Sequence, residues 1–367
     1  MRATRALIHI NHFIHNLQLV RSQCPQQAIC VAVKADAYGH GAIPLSQAAL
    51  QNGATHLAVA TLEEAAQLRE AGLSAPILLF SLLTPEEIPE AVSLHLQPFE
   101  TSARGLELYA QASAAQGRRT GIHLKVDTGM GRIGCPPEQV AELALFIHQS
   151  PHLELAGLAT HFPSADEEDP HYTQEQVGRF QMALQSCASF APQQIHAANS
   201  GAIVAHPQAR FTMVRPGIML YGYYPSHDQK RHLDLKPVME LRSKLVHIKR
   251  IKKGDTVSYG RSWTAPHETV IGTIPAGYAD GYNRLLSNQG WVAVNGRQCP
   301  VVGRVCMDQF MVDLGPQAQD ELYDDVVLFG GDAPAPSAED IADLCQSISY
   351  EVTCRIDKRV PRVYEGL

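Results

Sequence analysis

The sequence predicts an α/β fold, an N-terminal (β/α)8 TIM barrel followed by a C-terminal mostly-β domain. The first two-thirds of the chain alternate short strand-like apolar runs with helix-like runs, eight units in succession. Beyond about Gly222 this texture gives way to β-type runs joined by turns. No Gly-x-Gly-x-x-Gly fingerprint follows the first strand run, which weighs against a doubly wound dinucleotide-binding sheet. The expected division is residues 1–230 and 231–367, with the first ten or so residues as candidates to pack on the second domain.

Strand-like runs fall at residues 28–33, 56–60, 76–80, 94–98, 122–126, 153–159, 194–198 and 211–214. Helical runs lie between them, for example 44–52 with Gly53 as a stop, 62–71 with Gly72 as a stop, and 137–149. Thr61-Leu-Glu-Glu64 has the spacing of a capping box, a cap hydroxyl followed three residues on by a carboxylate. Residues 223–236 are polar and turn-rich and read as a linker. Then come β-type runs at 241–249, 256–259, 269–275, 291–295, 300–305 and 326–329, and a short helix around 338–347. Asn295-Gly296 between Val-rich flanks predicts a type I′ hairpin.

Composition narrows the function classes. The chain has 367 residues, 45% hydrophobic and 18% charged, with a net charge of −7 and no basic run, so no nucleic-acid partner is expected. No run of about 20 apolar residues could cross a bilayer, and the amino terminus lacks the apolar core of a signal peptide. The eight cysteines include no Cys-x-x-Cys pair. They are expected to be reduced, in the cytoplasm. His40, His161 and His196 have no carboxylate–histidine spacing that suggests a metal, and none is expected.

The most informative stretch is Val31-Ala-Val-Lys34-Ala-Asp-Ala-Tyr38-Gly-His40-Gly41. A β-branched apolar run ends on a lysine, and a turn and helix follow. A lysine at a strand's carboxyl end, with apolar residues behind it, is a candidate Schiff-base amine. In a (β/α)8 barrel the working residues gather at the carboxyl ends of strands. Here those ends carry Lys34, Lys125-Val-Asp127-Thr-Gly-Met-Gly-Arg132, Thr160-His161, Asn199-Ser200-Gly201 and Arg215-Pro216-Gly217. The last two strand ends of such barrels commonly bind phosphate, and Ser200, Gly201, Gly217 and Ile218 are small or backbone donors of that kind. Taken with a strand-end lysine, they point to a phosphate-bearing aldehyde, pyridoxal 5'-phosphate.

At this point the chain resembles the alanine racemase family of barrel-type (fold-type III) pyridoxal-phosphate enzymes. The resemblance runs over residues 31–41, 125–134, 160–162, 198–201, 215–222, 257–260, 277–282, 303–309, 350–352 and 359–364, nearly the whole chain. It implies racemisation of alanine by two bases on opposite faces of Cα, Lys34 and Tyr259, supplying D-alanine for peptidoglycan. A tyrosine in a β run is most often packing; only its place in the motif Val257-Ser258-Tyr259-Gly260 overturns that. The family pattern links Tyr259 through His161 to Arg215, and places Arg215 against the cofactor's ring nitrogen. Arginine cannot act there as a carboxylate would, so the nitrogen should stay unprotonated and the proton should return to Cα rather than to the cofactor.

By the same resemblance, Tyr38, Asn199, Ser200, Gly217, Ile218 and Tyr350 bind cofactor. Arg132, the Met307 amide, Asp308 and Tyr278 bind or restrict the amino-acid substrate. Lys125 takes the place of a carbamylated lysine beside Arg132. The family also implies a head-to-tail homodimer with shared active sites. Asn283 and Pro163 depart from the family pattern, where proline and alanine are common. The alternatives are a broad-specificity or serine racemase of the same fold, a barrel-type decarboxylase (which Arg215 and Tyr259 oppose), and a cofactor carrier without catalysis.

Overall fold

The computed structural model describes residues 2–226, 229 and 233–366. The expected boundary at 230/231 lies outside the described residues. The chain divides into two compact units, one of Ile14–Ala37 and Ala42–Leu235, the other of Met1–Phe13, Tyr38–Gly41 and Lys236–Leu367.

Eight parallel strands form the first unit: β2 (Ala28–Ala32), β3 (His56–Val59), β4 (Ile77–Leu79), β5 (Leu96–Glu100), β6 (Thr120–Lys125), β7 (Leu153–Ala159), β8 (Gln194–His196) and β9 (Met213–Val214). Each pairs with its neighbour in the order β8-β7-β6-β5-β4-β3-β2-β9. The two ends of that series meet, since Thr212 N donates to Ile195 O at 3.1 Å and Arg215 N to Ala198 O at 2.9 Å. The sheet is thus a barrel, as the alternating runs predicted. Small residues (Cys30, Ala58, Ala159) and large ones (Leu78, Phe99, Met213) share one buried cluster, the size alternation that fills a barrel interior. Two fully buried positions are polar instead, His123 on β6 and His196 on β8.

The helix Leu62–Glu70 starts on the expected capping box, with both of its hydrogen bonds present. Residues 94 and 95 are not strand: Leu94 ends the helix Ile88–Ser93 and His95 turns the chain at φ 53° before β5 begins.

The other unit holds β1 (Arg5–His9) and the C-terminal strands β10 (Met239–Lys244), β11 (His247–Ile251), β12 (Thr256–Val257), β13 (Trp263–Thr264), β14 (Thr269–Ile274), β15 (Trp291–Val294), β16 (Arg297–Val302), β17 (Phe310–Gly315), β18 (Asp325–Phe329) and β19 (Arg362–Glu365). Nine of them form one sheet, β11-β14-β17-β16-β15-β18-β10-β1-β19. The run expected as a single strand at 241–249 is two strands. β10 lies between β18 and β1, while β11 is an edge beside β14. Leu245 breaks the run by bonding to the 323–324 turn, a long-range contact that apolar alternation cannot reveal. Likewise 303–305 lies outside β16, and β17, β19 and the helix Ser349–Cys354 lie outside the expected runs. Asn295 (φ 48°) and Gly296 (φ 72°) form the predicted hairpin turn between β15 and β16.

Candidate active site

Lys34 opens a short helix, Lys34–Gly39, directly after β2. Its next four residues, Ala35, Asp36, Ala37 and Tyr38, all have φ between 51° and 54°, so the turn is left-handed. Left-handed geometry costs L-residues roughly 1–2 kcal/mol each, so the surroundings must impose it. Ala37 N donates to Val33 O at 2.7 Å, Ala42 N to Asp36 Oδ1 at 2.7 Å, and Ala35 N to Glu64 Oε1 at 2.6 Å. The other oxygen of Glu64 accepts from Ala60 N at 2.8 Å. The capping-box glutamate therefore also anchors the lysine turn, a second task that its sequence spacing does not disclose.

Arg215 follows β9 and is 5% exposed. Its Nη2 donates to Thr160 O (2.7 Å), Ala197 O (3.0 Å) and His161 Nδ1 (3.3 Å), and its Nη1 to His196 Nδ1 (2.8 Å). Burial pulls the guanidinium down to about 10, so it remains the charged partner near neutrality. His161 lies well below the ordinary histidine range, first through burial and then through the positive charges of Arg215, Lys125, Arg132 and Lys34. His196 is held low by burial and Arg215. Both imidazoles are therefore neutral at neutral pH. With Arg215 as donor, His196 must accept at Nδ1 and carry its proton on Nε2, and His161 does the same where it shares with Thr160 O and Ala197 O the two hydrogens of Nη2.

Lys125 ends β6, is 2% exposed, and donates to Val126 O at 2.9 Å. Burial, and next Arg215, lower its pKa to about 7. A loop wound on Asp127 follows: Asp127 Oδ1 accepts from Gly129 N (2.9 Å) and Gly131 N (3.1 Å). Gly134 closes it at φ 144°, where a Cβ would meet Asp127 N at 2.3 Å. This loop carries the exposed Arg132. Lys34, Lys125, Arg132 and Arg215 thus make the carboxyl end of the barrel electropositive, a donor set that suits a phosphate and a carboxylate.

Asn199 lies beyond the end of β8 rather than in it. It caps the helix Ser200–Ala205, accepting from Ala202 N at 3.0 Å. Ser200 Oγ accepts from Gly217 N (3.0 Å) and Met219 N (3.4 Å). This draws together the two segments that the sequence marked for phosphate, with Ile218 heading a 3-10 turn. A lysine amine, these small-residue turns and a buried arginine fit pyridoxal phosphate.

The remaining expected site residues belong to the other unit. Tyr38 and Tyr350 have ring centroids 6.1 Å apart, and a Cβ on Gly39 would meet Thr353 O at 2.2 Å, so glycine is needed there. Tyr259 is not the end of a strand. It sits in a 3-10 turn between Ser258 (φ 70°) and Gly260 (φ 68°), and is 74% exposed. Tyr278 N donates to Cys306 O at 3.0 Å and Ala279 N to Met307 O at 3.1 Å, which locks the Tyr278 turn to the Met307 loop. Met307 (52%) and Tyr278 (44%) are exposed as well. Asp308 pairs with Arg359 at 2.6 Å, and Arg359 also reaches the buried Asp280 at 2.7 Å. The Asp308 carboxylate is thus already engaged. Asn283 caps its own turn, accepting from Leu285 N at 2.9 Å. Among the described residues no cluster of three His, Cys, Asp or Glu is arranged to hold a metal, and no helix is long and apolar enough to cross a membrane. No two of the eight cysteines are joined.

Two family models match, "Alanine racemase, N-terminal domain" over residues 8–225 and "Alanine racemase, C-terminal domain" over 238–364. The alanine racemase of Treponema denticola is 42% identical, covering 99% of this chain and 98% of its own. That of Desulforamulus reducens is 43% identical, covering 98% of each. Among solved structures, alanine racemase from D-cycloserine-producing Streptomyces lavendulae superposes with a TM-score of 0.95 at 37% identity, over 100% of this chain and 98% of its own. The Bacillus anthracis alanine racemase with bound L-Ala-P gives 0.93 at 34% identity, over 100% and 95%.

Proposed function

The chain belongs to the alanine racemase family of isomerases, and from that premise we propose that it interconverts L- and D-alanine by a two-base, pyridoxal-phosphate-dependent mechanism. The observation that carries this reading is Arg215, a donor that cannot accept, buried at the barrel's carboxyl end and bonded to two neutral histidines.

In this reading the barrel unit, Ile14–Ala37 and Ala42–Leu235, supplies most of the groups that would hold the cofactor. Lys34 would hold the cofactor's aldehyde. Ser200, Gly217 and Ile218, with Tyr38 and Tyr350 as the family pattern has them, would hold its phosphate, and Asn199 fixes the Ser200 turn. Arg215 would donate toward its ring nitrogen. Pyridoxal phosphate supplies an electron sink that makes a Cα proton removable. The chain's own groups then move that proton. The Lys34 amine, released when the substrate's amine takes its place on the aldehyde, would take it from or return it to one face of Cα, and Tyr259, as phenolate when it accepts and phenol when it donates, would serve the other face. A phenol ordinarily ionises near pH 10, so Tyr259 needs a donor beside its oxygen. His161 suits that need, because Arg215 occupies its Nδ1 and leaves Nε2–H to donate.

Arg132 and the Met307 amide orient the substrate carboxylate, and Tyr278 limits the side chain to about methyl size. The Asp308 carboxylate, paired with Arg359, supports the Met307 loop in this scheme. Lys125, with a pKa near 7 and two arginines close by, is suited to react with carbon dioxide and become an anionic carbamate beside Arg132. Tyr259, Tyr278 and Met307 are three exposed apolar residues on adjoining turns. A surface of that kind suits burial against a second copy of the chain, consistent with a homodimer in which Tyr259 completes its partner's site. We place this activity in the cytoplasm, supplying D-alanine for peptidoglycan.

The test is incubation of the purified protein and cofactor with L-alanine in deuterated water. D-alanine should appear with deuterium at Cα, and L-serine should react more slowly. Cofactor binding without α-proton exchange would point instead to a carrier, and carbon dioxide release to a decarboxylase.

A further inference from the structure

We infer that His123 and Gln97 are positioning residues for Arg215, the far links of a one-way hydrogen-bond chain that crosses the barrel interior and holds His196 as an acceptor. This deepens the proposed function and rests on the placement of Arg215 at the cofactor's ring nitrogen.

The chain has three bonds. Arg215 Nη1 donates to His196 Nδ1 at 2.8 Å, His196 Nε2 meets His123 Nδ1 at 2.8 Å, and His123 Nε2 meets Gln97 Oε1 at 3.3 Å. Its direction is forced from one end. Arginine only donates, so His196 accepts at Nδ1 and its single proton lies on Nε2. That proton points at His123 Nδ1, which must accept, and the proton of His123 therefore lies on Nε2 and needs an acceptor. The Gln97 carbonyl oxygen is that acceptor. Burial holds His123 down to about 3, so no second proton blurs the order.

The backbone is shaped for this ring. The β6–β7 register shifts between Ile122 and His123, the irregularity by which a strand re-aims a side chain. Opposite it stands Gly157, where a Cβ would lie 2.3 Å from His123 Nδ1. Any side chain there would expel the imidazole. The barrel thus gives up two apolar positions and one side chain to seat a polar line in its core. Such a line is costly unless every member is satisfied. It is satisfied in one order only: were His196 to carry its proton on Nδ1, it would face the N–H of Arg215 and the bond would be lost. Gln97, near the amino end of β5, closes the line at the edge of a cavity of about 230 Å³ that Arg118, Arg119 and Glu154 also line. Its replacement therefore need not disturb the packed core.

The experiment reads histidine tautomers by NMR in the full-length protein with isotope-labelled imidazoles, in parent, Gln97→Leu and Gln97→Glu. In the parent, His123 and His196 should each be protonated on Nε2 alone. Gln97→Leu removes the acceptor, so the His123 Nε2–H should lose its hydrogen-bonded chemical shift, while Arg215 keeps both rings in the parent tautomer. The kcat for racemisation should fall about three- to tenfold, the weight of one net hydrogen bond, with KM for alanine unchanged. Gln97→Glu keeps an acceptor and should restore the hydrogen-bonded shift of His123 Nε2–H and most of the rate, whereas a role in packing alone would favour leucine over a charged glutamate. An Nδ1 proton on either ring of the parent, or a His123 Nε2–H shift unchanged in Gln97→Leu, would overturn the inference. The tautomers are read without turnover, so a protein that shows them yet does not racemise alanine would sink the proposed function and not the chain.

Discussion

Arg215 Nη2 lies 3.3 Å from His161 Nδ1, and no other protonation of that histidine permits the bond. The histidine is left with a single donor, Nε2–H, which in the proposed dimer faces the phenol of Tyr259. Tyr259→Phe should therefore keep the cofactor bound while slowing proton removal about 10²- to 10⁴-fold, the usual weight of a general base. The loss should be larger for one enantiomer. Single-turnover rates for L- and D-alanine check this, and equal, small losses would argue against one base per face.

Lys34→Ala should abolish racemisation and the visible absorbance of the lysine-bound cofactor together. Borohydride reduction followed by peptide mapping should mark the peptide containing Lys34. Label on any other lysine would falsify the assignment.

Arg215→Glu places an anionic acceptor where the chain now has only a donor. The cofactor's ring nitrogen should then hold a proton, and the proton taken from Cα should return elsewhere more often. The ratio of transamination to racemisation should rise, measured as pyruvate formed per D-alanine. An unchanged ratio would count against the electronic role of Arg215.

Lys125 owes its low pKa to burial first and Arg215 second, and a neutral amine is the form that reacts with carbon dioxide. Labelled carbon dioxide should give a carbamate signal in the parent and none in Lys125→Ala. The variant should raise KM for alanine about ten- to a hundredfold, as expected for losing a charged hydrogen bond to Arg132. If the labelled parent stays silent, Lys125 is an amine at work.

Three histidines, His123, His161 and His196, are held neutral by burial, with pKa values lowered from their ordinary range. The unfolded chain binds protons at these residues below about pH 6.5 and the native one does not. Stability should thus be full above that pH and fall as the pH drops toward the folded value, about 3 for His123. Between about pH 7 and 5.5 the loss should be about 1 kcal/mol per histidine. His9, raised by its hydrogen bond to Glu240, acts in the opposite sense and offsets part of it. Urea unfolding across this window checks the sign, and stability that rises on acidification would exclude neutral histidines in the core.

The sequence by itself determined a good deal. Eight alternating units dictated the barrel, since apolar runs of strand length separated by amphipathic runs can bury their surfaces in few other ways. Asn295-Gly296 specified its turn, and the Thr61–Glu64 spacing its cap. The residue types at strand ends restricted the chemistry, because an arginine cannot accept a proton wherever it is placed. Only tertiary structure decided the rest. Glu64 and Ala35 are 29 residues apart, and His123 and His196 are 73 apart. Periodicity tells which side of an element faces inward, but not which inward side chains meet across a closed barrel. The same holds for the charge states of Lys125 and the three histidines. A pKa is set by burial and by neighbours in space, and the chain acquires both only when it folds.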